Sequence, residues 1–267
     1  MHSMQIKLRL SALVAACALN PVWAAGPGSS PSGPTLIDQA RAEAGGVTPG
    51  DAPGFPVTLS QPGSYRLVGN LTLTDPALHA IVIGVDGVTL DLDGFTISGP
   101  VTCSGAPPQK VCTPVGSNAD GVSGMGRSQT VVRNGQVRGF ARGGVMLGAR
   151  SRVESLHLSH NGTYGMYVES DSLIAGNTSW NNGWSGISAR GSLVRDNTVS
   201  GNGSTGIWTA WGSVVTDNRI TGNGGFGVLH AAGTTTGYGR NVFVGNAGIV
   251  VGATVKIADN LCDGAIC

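Results

Sequence analysis

The sequence has few aromatic residues, few charges and little cysteine. Aromatic residues make up 5% and charged residues 12% of the 267 positions, whereas glycine occupies 44. This composition suits neither a charge-rich disordered chain nor an ordinary helical globule. It indicates many tight turns between short buried strands, in one elongated domain that grows by stacking repeats.

Positive charge is scarce as well. The chain has 16 basic and 15 acidic residues, and removal of an export signal containing Lys7 and Arg9 leaves 14 against 15, a net charge of −1. No basic stripe remains for nucleic acid or an anionic membrane, so we expect neither partner. The near-neutral balance also predicts that charge plays a lesser part in ligand binding.

The apolar run near the N-terminus is too short for a permanent membrane anchor. This run, residues 10–19, follows a basic stretch and precedes Val22 and Ala24, which are small enough for signal peptidase. Residues 1–24 are therefore predicted to be a signal peptide of an exported, periplasmic or extracellular protein with no membrane span. The alternative is a lipoprotein box in which Cys17 carries a lipid.

Cleavage would remove Cys17 and leave an even set of cysteines in two close pairs. We expect two disulfides in an oxidising compartment, Cys103–Cys112 and Cys262–Cys267. A metal site built from these thiols is not expected, because the pairs lie at opposite ends of the repeat region.

A glycine followed by an apolar residue recurs in steps of 21, 21, 20, 21 and 21 residues, at Gly144, Gly165, Gly186, Gly206, Gly227 and Gly248. An apolar or small column keeps step with it: Val137, Leu158, Ser179, Val199, Ile220 and Phe243. Two asparagine columns do the same: Asn161, Asn182, Asn202 and Asn223, with Asn246 slightly out of phase, and Asn177, Asn197, Asn218 and Asn241.

This period predicts an all-β fold over residues 53–267, a single-stranded right-handed parallel β-helix with coils of about 21 residues. Three short strands per coil return the chain to its start one layer higher, at a spacing of about 4.8 Å. Aliphatic side chains then stack inward, and the asparagine amides form ladders between layers. A leucine-rich repeat or a propeller is excluded by the missing leucine scaffold and by the short period.

Two segments depart from the repeat. Residues 25–52 are predicted to be a linker followed by a short helix, 35–44, in which Thr35 is the cap and Asp38 completes a capping box. Residues 100–125 are predicted to be an insertion loop that is closed by a disulfide and projects from the stack.

The period, the Asn-Gly turns and the segments Gln61–Leu67 (QPGSYRL) and Val88–Phe95 (VTLDLDGF) resemble bacterial right-handed parallel β-helix repeat proteins of the pectate lyase-like superfamily, in particular its plain secreted group. The resemblance covers residues 53–267 and implies a fold shared by polysaccharide lyases, glycoside hydrolases, uronan epimerases and adhesins. It implies no catalytic set, because the Asn-Thr-Asp and Gly-His-Gly motifs of polygalacturonases and the Asp-Pro-His-Asp motif of mannuronan epimerases are absent. The fold alone does not fix the function.

Aligned coils also predict outward columns. One holds Met146, Tyr167, Ser188, Trp208, Leu229 and Val250. Small Ser188 would leave a groove between the rings of Tyr167 and Trp208. Further aromatic surface would come from Trp211, Trp180 and Trp184. Aromatic faces suit the C–H faces of sugar rings, so these residues are candidate polysaccharide-binding residues. Packing under a neighbouring loop is the alternative.

A second outward column holds Gln136, His157, Thr178, Thr198, Arg219 and Val242. Arg138 lies beside it, and His157 with Tyr164 falls in the next coil. A lyase or epimerase needs a cation to stabilise an enolate-like intermediate and a base to remove a proton, so Arg138, His157 and Tyr164 are candidate catalytic residues. Simple solvation of these side chains is the alternative.

A third column alternates in charge: Arg133, Glu154, Gly176, Asp196, Asp217, Arg240 and Asp259. Asp196 and Asp217 could share Ca²⁺, whereas ordinary ion pairing with the nearby arginines is the alternative. No other cofactor is expected. Three functions stay open: polysaccharide binding along the lateral face, a polysaccharide lyase or epimerase, and a structural surface protein.

Overall fold

The computed structural model describes residues 33–267 except Val115, Thr234 and Ala253. The predicted signal peptide, Cys17 and the linker up to residue 32 lie outside the described residues. The N-terminal part contains β1 (Thr35–Ile37), α1 (Gln39–Ala44), β2 (Val57–Leu59), β3 (Gly63–Leu67), β4 (Leu71–Thr72), β5 (Ile81–Ile83), β6 (Val88–Asp91), β7 (Thr96–Ser98), β8 (Thr102–Ser104), β9 (Val111–Thr113) and β10 (Asp120–Gly124).

The repeat region continues with β11 (Val131–Arg138), β12 (Gly143–Leu147), β13 (Arg152–Ser159), β14 (Tyr164–Val168), β15 (Leu173–Ala175), β16 (Thr178–Trp180), β17 (Ser185–Arg190), β18 (Leu193–Arg195), β19 (Thr198–Ser200) and β20 (Ile207–Ala210). It ends with β21 (Val214–Thr216), β22 (Arg219–Thr221), β23 (Phe226–His230), β24 (Thr236–Gly239), β25 (Val242–Val244), β26 (Gly248–Val251), β27 (Thr254–Lys256), β28 (Leu261–Cys262) and β29 (Ala265–Ile266).

Successive coils pair in parallel and build two long sheets. A complete coil adds two strands to an 18-stranded sheet, as β15 and β16 do, and one strand to a nine-stranded sheet, as β17 does. Each residue pairs with its equivalent one coil away; Leu173, for example, pairs with Leu193, and Leu193 pairs with Val214. The fold is the predicted right-handed parallel β-helix.

The core is a set of aliphatic columns between the two sheets. The predicted column from Val137 to Phe243 is in register from coil to coil and fully buried. The repeated glycine leaves room for this column. A β-carbon added to Gly165 would lie 2.1 Å from the Oγ atom of Ser179 and 2.4 Å from the carbonyl oxygen of Gly186. The glycine period therefore reflects close packing across the coil.

Both asparagine columns form the predicted ladders. In the first, each Nδ2 atom donates to the Oδ1 atom of the asparagine one coil further on, at 2.9 to 3.0 Å, from Asn161 to Asn246. The second ladder runs from Asn177 to Asn241 and extends to Asn260, which the sequence analysis missed. The backbone N–H of each donor asparagine uses the same acceptor, so buried polar groups are satisfied.

The N-terminal helix is shorter than predicted. Residues Thr35–Ile37 form strand β1, which pairs in parallel with β3, and Ile37 is fully buried. Asp38 is the N-cap itself, because its side chain accepts a hydrogen bond from the backbone N–H of Arg41 at 2.8 Å. Pairing and burial of a β-branched segment outweigh the local capping pattern, and the prediction of Thr35 as the cap is wrong.

The insertion is also shorter than predicted, and its hairpin packs along the outside of the stack. Strands β8 and β9 form an antiparallel hairpin closed by the Cys103–Cys112 disulfide, and the stack resumes with β10 at Asp120. The hairpin lies along a row of turn glycines. A β-carbon on Gly183 would lie 2.9 Å from the Sγ atom of Cys112, and one on Gly224 would lie 2.8 Å from the Cα atom of Pro108.

The C-terminal end closes with the only other antiparallel pair in the described part of the chain, β28 with β29. The disulfide Cys262–Cys267 links this hairpin. Both predicted disulfides are thus present.

Candidate functional site

The nine-stranded sheet carries a cluster of aromatic side chains on its outer face. A shallow cavity of about 150 Å³ is lined by Tyr164, Tyr167, Trp184, Ser188, Arg190 and Trp208; we name this set the aromatic–arginine groove. Its residues come from β14, β17 and β20, which are neighbours in that sheet, and from Trp184, which directly precedes β17. Tyr167 pairs with Ser188, which pairs with Trp208, as predicted.

The sequence predicted an open groove between Tyr167 and Trp208. In the structure, the side chain of Arg190 occupies this space. Its guanidinium carbon lies 5.2 Å from the ring centre of Tyr167 and 5.8 Å from that of Trp208. The ring of Trp211, at the rim, lies 4.8 Å away. Ser188 and Arg190 are two residues apart on one strand and both point outward, so the long side chain covers the short one, and Ser188 is only 2% exposed.

Two tyrosines form one wall of the aromatic–arginine groove. The ring centres of Tyr164 and Tyr167 are 6.0 Å apart, and Tyr164 lies 5.4 Å from Trp184. Burial is the main cause that raises the pKa of both tyrosines. Both phenols are therefore protonated near neutral pH and can donate hydrogen bonds.

A second cavity, of about 350 Å³, lies on the 18-stranded sheet. It is lined by Thr96, Gln136, Arg138, His157, Ser159, His160 and Trp180; we name it the histidine groove. His160 contacts Trp180 edge to face, with ring centres 4.9 Å apart. Burial, followed by the charges of Lys110 and Arg138, lowers the pKa of His160.

Only part of the predicted catalytic set comes together. Arg138 and His157 share the histidine groove, as their neighbouring columns predicted. Tyr164 lies in the aromatic–arginine groove instead, because it begins a strand of the other sheet. The turn between β13 and β14 separates it from His157, so Tyr164 does not belong to that set.

The insertion hairpin lies at the turn between the two grooves. Trp180 and Trp184 flank this turn, residues 181–183, in a single coil. Lys110 from the hairpin donates a hydrogen bond to the Oδ1 atom of Asn181 at 3.1 Å. Residues 101–103 of the insertion also line a cavity with Arg138 and His160. The hairpin therefore forms a ridge with one aromatic surface on either side, and sequence reasoning gave no signal for its path.

Two predicted columns change phase. Val250 pairs with Val228 of the inward column, because the last coil pairs Phe226 with Gly248. Glu154 pairs with Ala175, which pairs with Arg195. Arg133 and Glu154 therefore do not belong to the third predicted column. Its other members up to Arg240 do share one position, because each directly follows a paired residue at a bend with positive φ: Gly176, Asp196, Asp217 and Arg240.

The predicted calcium ligands are engaged in ion pairs. Asp196 contacts Arg195, and Asp217 accepts two hydrogen bonds from Arg240 at 2.7 and 2.8 Å. The Arg240 guanidinium lowers the pKa of Asp217. Within the ranges that the structure describes, no three His, Cys, Asp or Glu side chains gather as a metal site. These contacts favour the ion-pairing alternative.

Arg190 is the functional candidate that sequence reasoning missed. The sequence did carry a signal for it. Arg190 follows Ser188 by two residues on one strand and therefore also points outward, where its side chain reaches aromatic residues of both adjacent coils.

Comparison with solved structures gives distant similarities. The enzymatically active domain of tailspike protein 2 of bacteriophage CBA120 is 16% identical with a TM-score of 0.49, covering 76% of this chain and 37% of that domain. The A-module of mannuronan C-5 epimerase AlgE6 of Azotobacter vinelandii is 12% identical with a TM-score of 0.37, covering 76% and 82%. The Dettilon tailspike protein is 15% identical with a TM-score of 0.40, covering 67% and 42%. The chain thus spans just over a third of the first tailspike domain, and these similarities support no conclusion about function.

No match was found among curated proteins. In the described ranges, no helix is both long and apolar enough to cross a membrane. Residues 95–260, more than half of the chain, match the family described as Periplasmic copper-binding protein (NosD), and the chain therefore belongs to the NosD family.

Proposed function

We propose that this NosD-family chain is an exported protein that binds polysaccharide along its lateral face, in the aromatic–arginine groove. The observation that carries the proposal is the convergence of Tyr164, Tyr167, Trp184 and Trp208 on one cavity from three neighbouring coils. A periplasmic family name supports export, as the N-terminal sequence predicts.

The distribution of aromatic residues supports this proposal. Every tryptophan of the described chain lies on the outside of the stack, and Trp184 and Trp211 are 46% and 58% exposed. The core contains mainly aliphatic side chains, with phenylalanine and Tyr65 as its aromatic members. Exposing so much aromatic surface is unfavourable unless a ligand covers it, and a row of rings along stacked coils suits an extended chain of sugar rings.

Copper binding, which the family description names, does not fit the described residues. Their four cysteines are held in disulfides, and no three His, Cys, Asp or Glu side chains come together. His157 and His160 share one groove, but no third His, Cys, Asp or Glu completes a site there. Copper ions bind well to convergent thiolate and imidazole groups, so we assign no copper role to the described cysteines and histidines.

A polysaccharide lyase or epimerase is the second candidate. The observation that favours it is the shared cavity of Arg138 and His157, a cation and a base that proton abstraction from a uronate requires. Tyr164, the third residue of the predicted catalytic set, does not line this cavity. The reaction would use the histidine groove, across the ridge from the aromatic–arginine groove.

Fluorescence titration with neutral and acidic soluble polysaccharides tests the leading proposal. We expect Trp208→Ala to weaken binding about fivefold, the effect of losing about 1 kcal/mol of stacking. Trp180→Ala is the matched control, because it removes the same side chain beyond the ridge and should leave binding unchanged. A loss caused by Trp180→Ala alone, with an unsaturated or epimerised product, would assign the site to the histidine groove instead.

A further inference from the structure

The arginines of the described chain are mostly paired with carboxylates. Seven of them form such ion pairs: Arg41, Arg66, Arg133, Arg142, Arg152, Arg195 and Arg240. No salt bridge to a carboxylate is found among the described residues for Arg127, Arg138, Arg150, Arg190 or Arg219. All of these except Arg190 are exposed, so water solvates their charge. Arg190 is the partly buried member of this group, and its environment therefore needs an explanation.

Arg190 is held by aromatic rings and not by hydrogen-bond acceptors. Its guanidinium lies within 6 Å of the ring centres of Tyr167, Trp208 and Trp211. Its Nε atom is buried and has no hydrogen-bond partner in the described chain. A ring face attracts the positive charge but accepts no strong hydrogen bond, so the rings leave the guanidinium donors without acceptors. A buried donor left without an acceptor is costly.

The groups around Arg190 favour an anion. Tyr164 and Tyr167 are hydrogen-bond donors in their protonated form, and their electrostatic neighbours include two cations, Arg142 and Arg190. The charge of Arg142 is largely neutralised by the buried Asp120. Glu169 is the acidic group near Tyr167, but it forms no ion pair with Arg190.

We propose that the polysaccharide bound in the aromatic–arginine groove is acidic, and that Arg190 binds the anionic group of one sugar unit while Tyr167 and Trp208 contact its neighbours. This inference rests on the proposed polysaccharide-binding function and names its ligand class. A planar guanidinium can donate two parallel hydrogen bonds to a carboxylate or to two oxygens of a sulfate. The ion pair between Arg190 and the sugar anion then matters more for binding than the near-neutral net charge of the protein. Binding should therefore weaken with added salt.

Three polysaccharide probes and three variants test the inference. Polygalacturonate, dextran sulfate and neutral dextran are titrated against the wild type, Arg190→Gln, Arg190→Lys and Arg127→Gln, with melting temperatures measured in parallel. Arg127→Gln is the control, because it removes one positive charge from an exposed position. We expect Arg190→Gln to weaken binding of an acidic probe at least tenfold, as loss of a charge-assisted hydrogen bond would. Arg190→Lys should restore part of it, and Arg127→Gln should have no effect.

The outcomes separate the two proposals. Selective binding of polygalacturonate identifies a carboxylate ligand, and equal or better binding of dextran sulfate identifies a sulfate ligand; both support the inference if Arg190→Gln abolishes the preference. Neutral dextran bound as tightly as the acidic probes, with no effect of Arg190→Gln, would overturn the inference and leave polysaccharide binding intact. No binding of any probe would overturn both. If Arg190→Gln lowers the melting temperature, two other results decide whether Arg190 binds the anion: partial rescue of binding by Arg190→Lys and weaker binding of the wild type at high salt support the inference, and the absence of both overturns it.

Discussion

Replacing Asn202 with leucine would test the asparagine ladder that joins the coils. The side chain is fully buried. Its Nδ2 atom donates to Oδ1 of Asn223 at 2.9 Å, and its Oδ1 atom accepts from the backbone N–H and the Nδ2 atom of Asn182 at 3.0 and 2.9 Å. Asn202→Leu keeps the number of side-chain heavy atoms and the branching at Cγ but removes the donor and the acceptor.

The expected cost follows from which groups lose their partners. The Oδ1 atom of Asn223 still accepts one hydrogen bond, because the backbone N–H of residue 202 remains in place. The backbone N–H of Asn182 loses its acceptor inside the core, at about 1 to 3 kcal/mol, and the lost amide bonds add about 1 kcal/mol each. Burial of leucine offsets part of this. A net loss of about 2 to 4 kcal/mol corresponds to a melting temperature lower by roughly 5 to 15 °C for a body of this size.

Thermal and urea unfolding, followed by circular dichroism, measure this loss. Asn246→Leu is the graded control, since it is the same substitution at the last rung, where the side chain of residue 246 is only half-buried. It should therefore cost less than Asn202→Leu. An unchanged melting temperature for Asn202→Leu would refute the ladder as a stabilising feature, and an equal loss for the two variants would refute the expected dependence on burial.

Three further predictions concern stability and covalent structure. Peptide mass spectrometry without reduction should find Cys103–Cys112 and Cys262–Cys267, and free thiols or a link between the two pairs would contradict the assignment. Because burial lowers the pKa of His160 from 6.5, protonation opposes folding and stability is lost as the pH falls below that value. Melting temperatures between about pH 7.5 and pH 5 should fall less in His160→Gln than in the wild type; identical curves would show that His160 contributes nothing. Gly183→Ala should lower the melting temperature by several degrees because its β-carbon meets backbone at 2.1 Å, whereas Gly69→Ala, with 3.6 Å to its nearest neighbour, should not.

The repeat allowed most of the fold to be predicted. In a solenoid each coil contacts mainly its two neighbours, so a sequence period translates directly into contacts. The phase of the asparagine columns correctly predicted the ladders, and the column ending at Phe243 correctly predicted buried residues. A similar serine ladder was overlooked, although Ser151, Ser172 and Ser192 follow the same period.

Departures from the period explain what the sequence analysis missed. The third column was predicted one residue out of phase at Arg133 and Glu154, because the bend with positive φ lies one residue later in those coils, at Asn134 and Ser155. The insertion occurs once, so no repeated pattern showed that its hairpin packs on the turn glycines.

The candidate site was predicted in part. Tyr167 and Trp208 lie in one column as expected, whereas alignment alone did not show that the long side chain of Arg190 bridges them. Column alignment places Cα atoms and does not say where a flexible side chain ends.

The most direct test of polysaccharide binding at this site is calorimetric titration of an oligosaccharide from the best-binding polysaccharide into the wild type and Tyr167→Ala/Trp208→Ala. Each ring should contribute about 1 kcal/mol of stacking, so the double variant should bind roughly 30-fold more weakly while keeping its folded circular dichroism spectrum. Equal affinities for the two folded proteins would contradict the account and direct attention to Arg138 and His157 in the histidine groove.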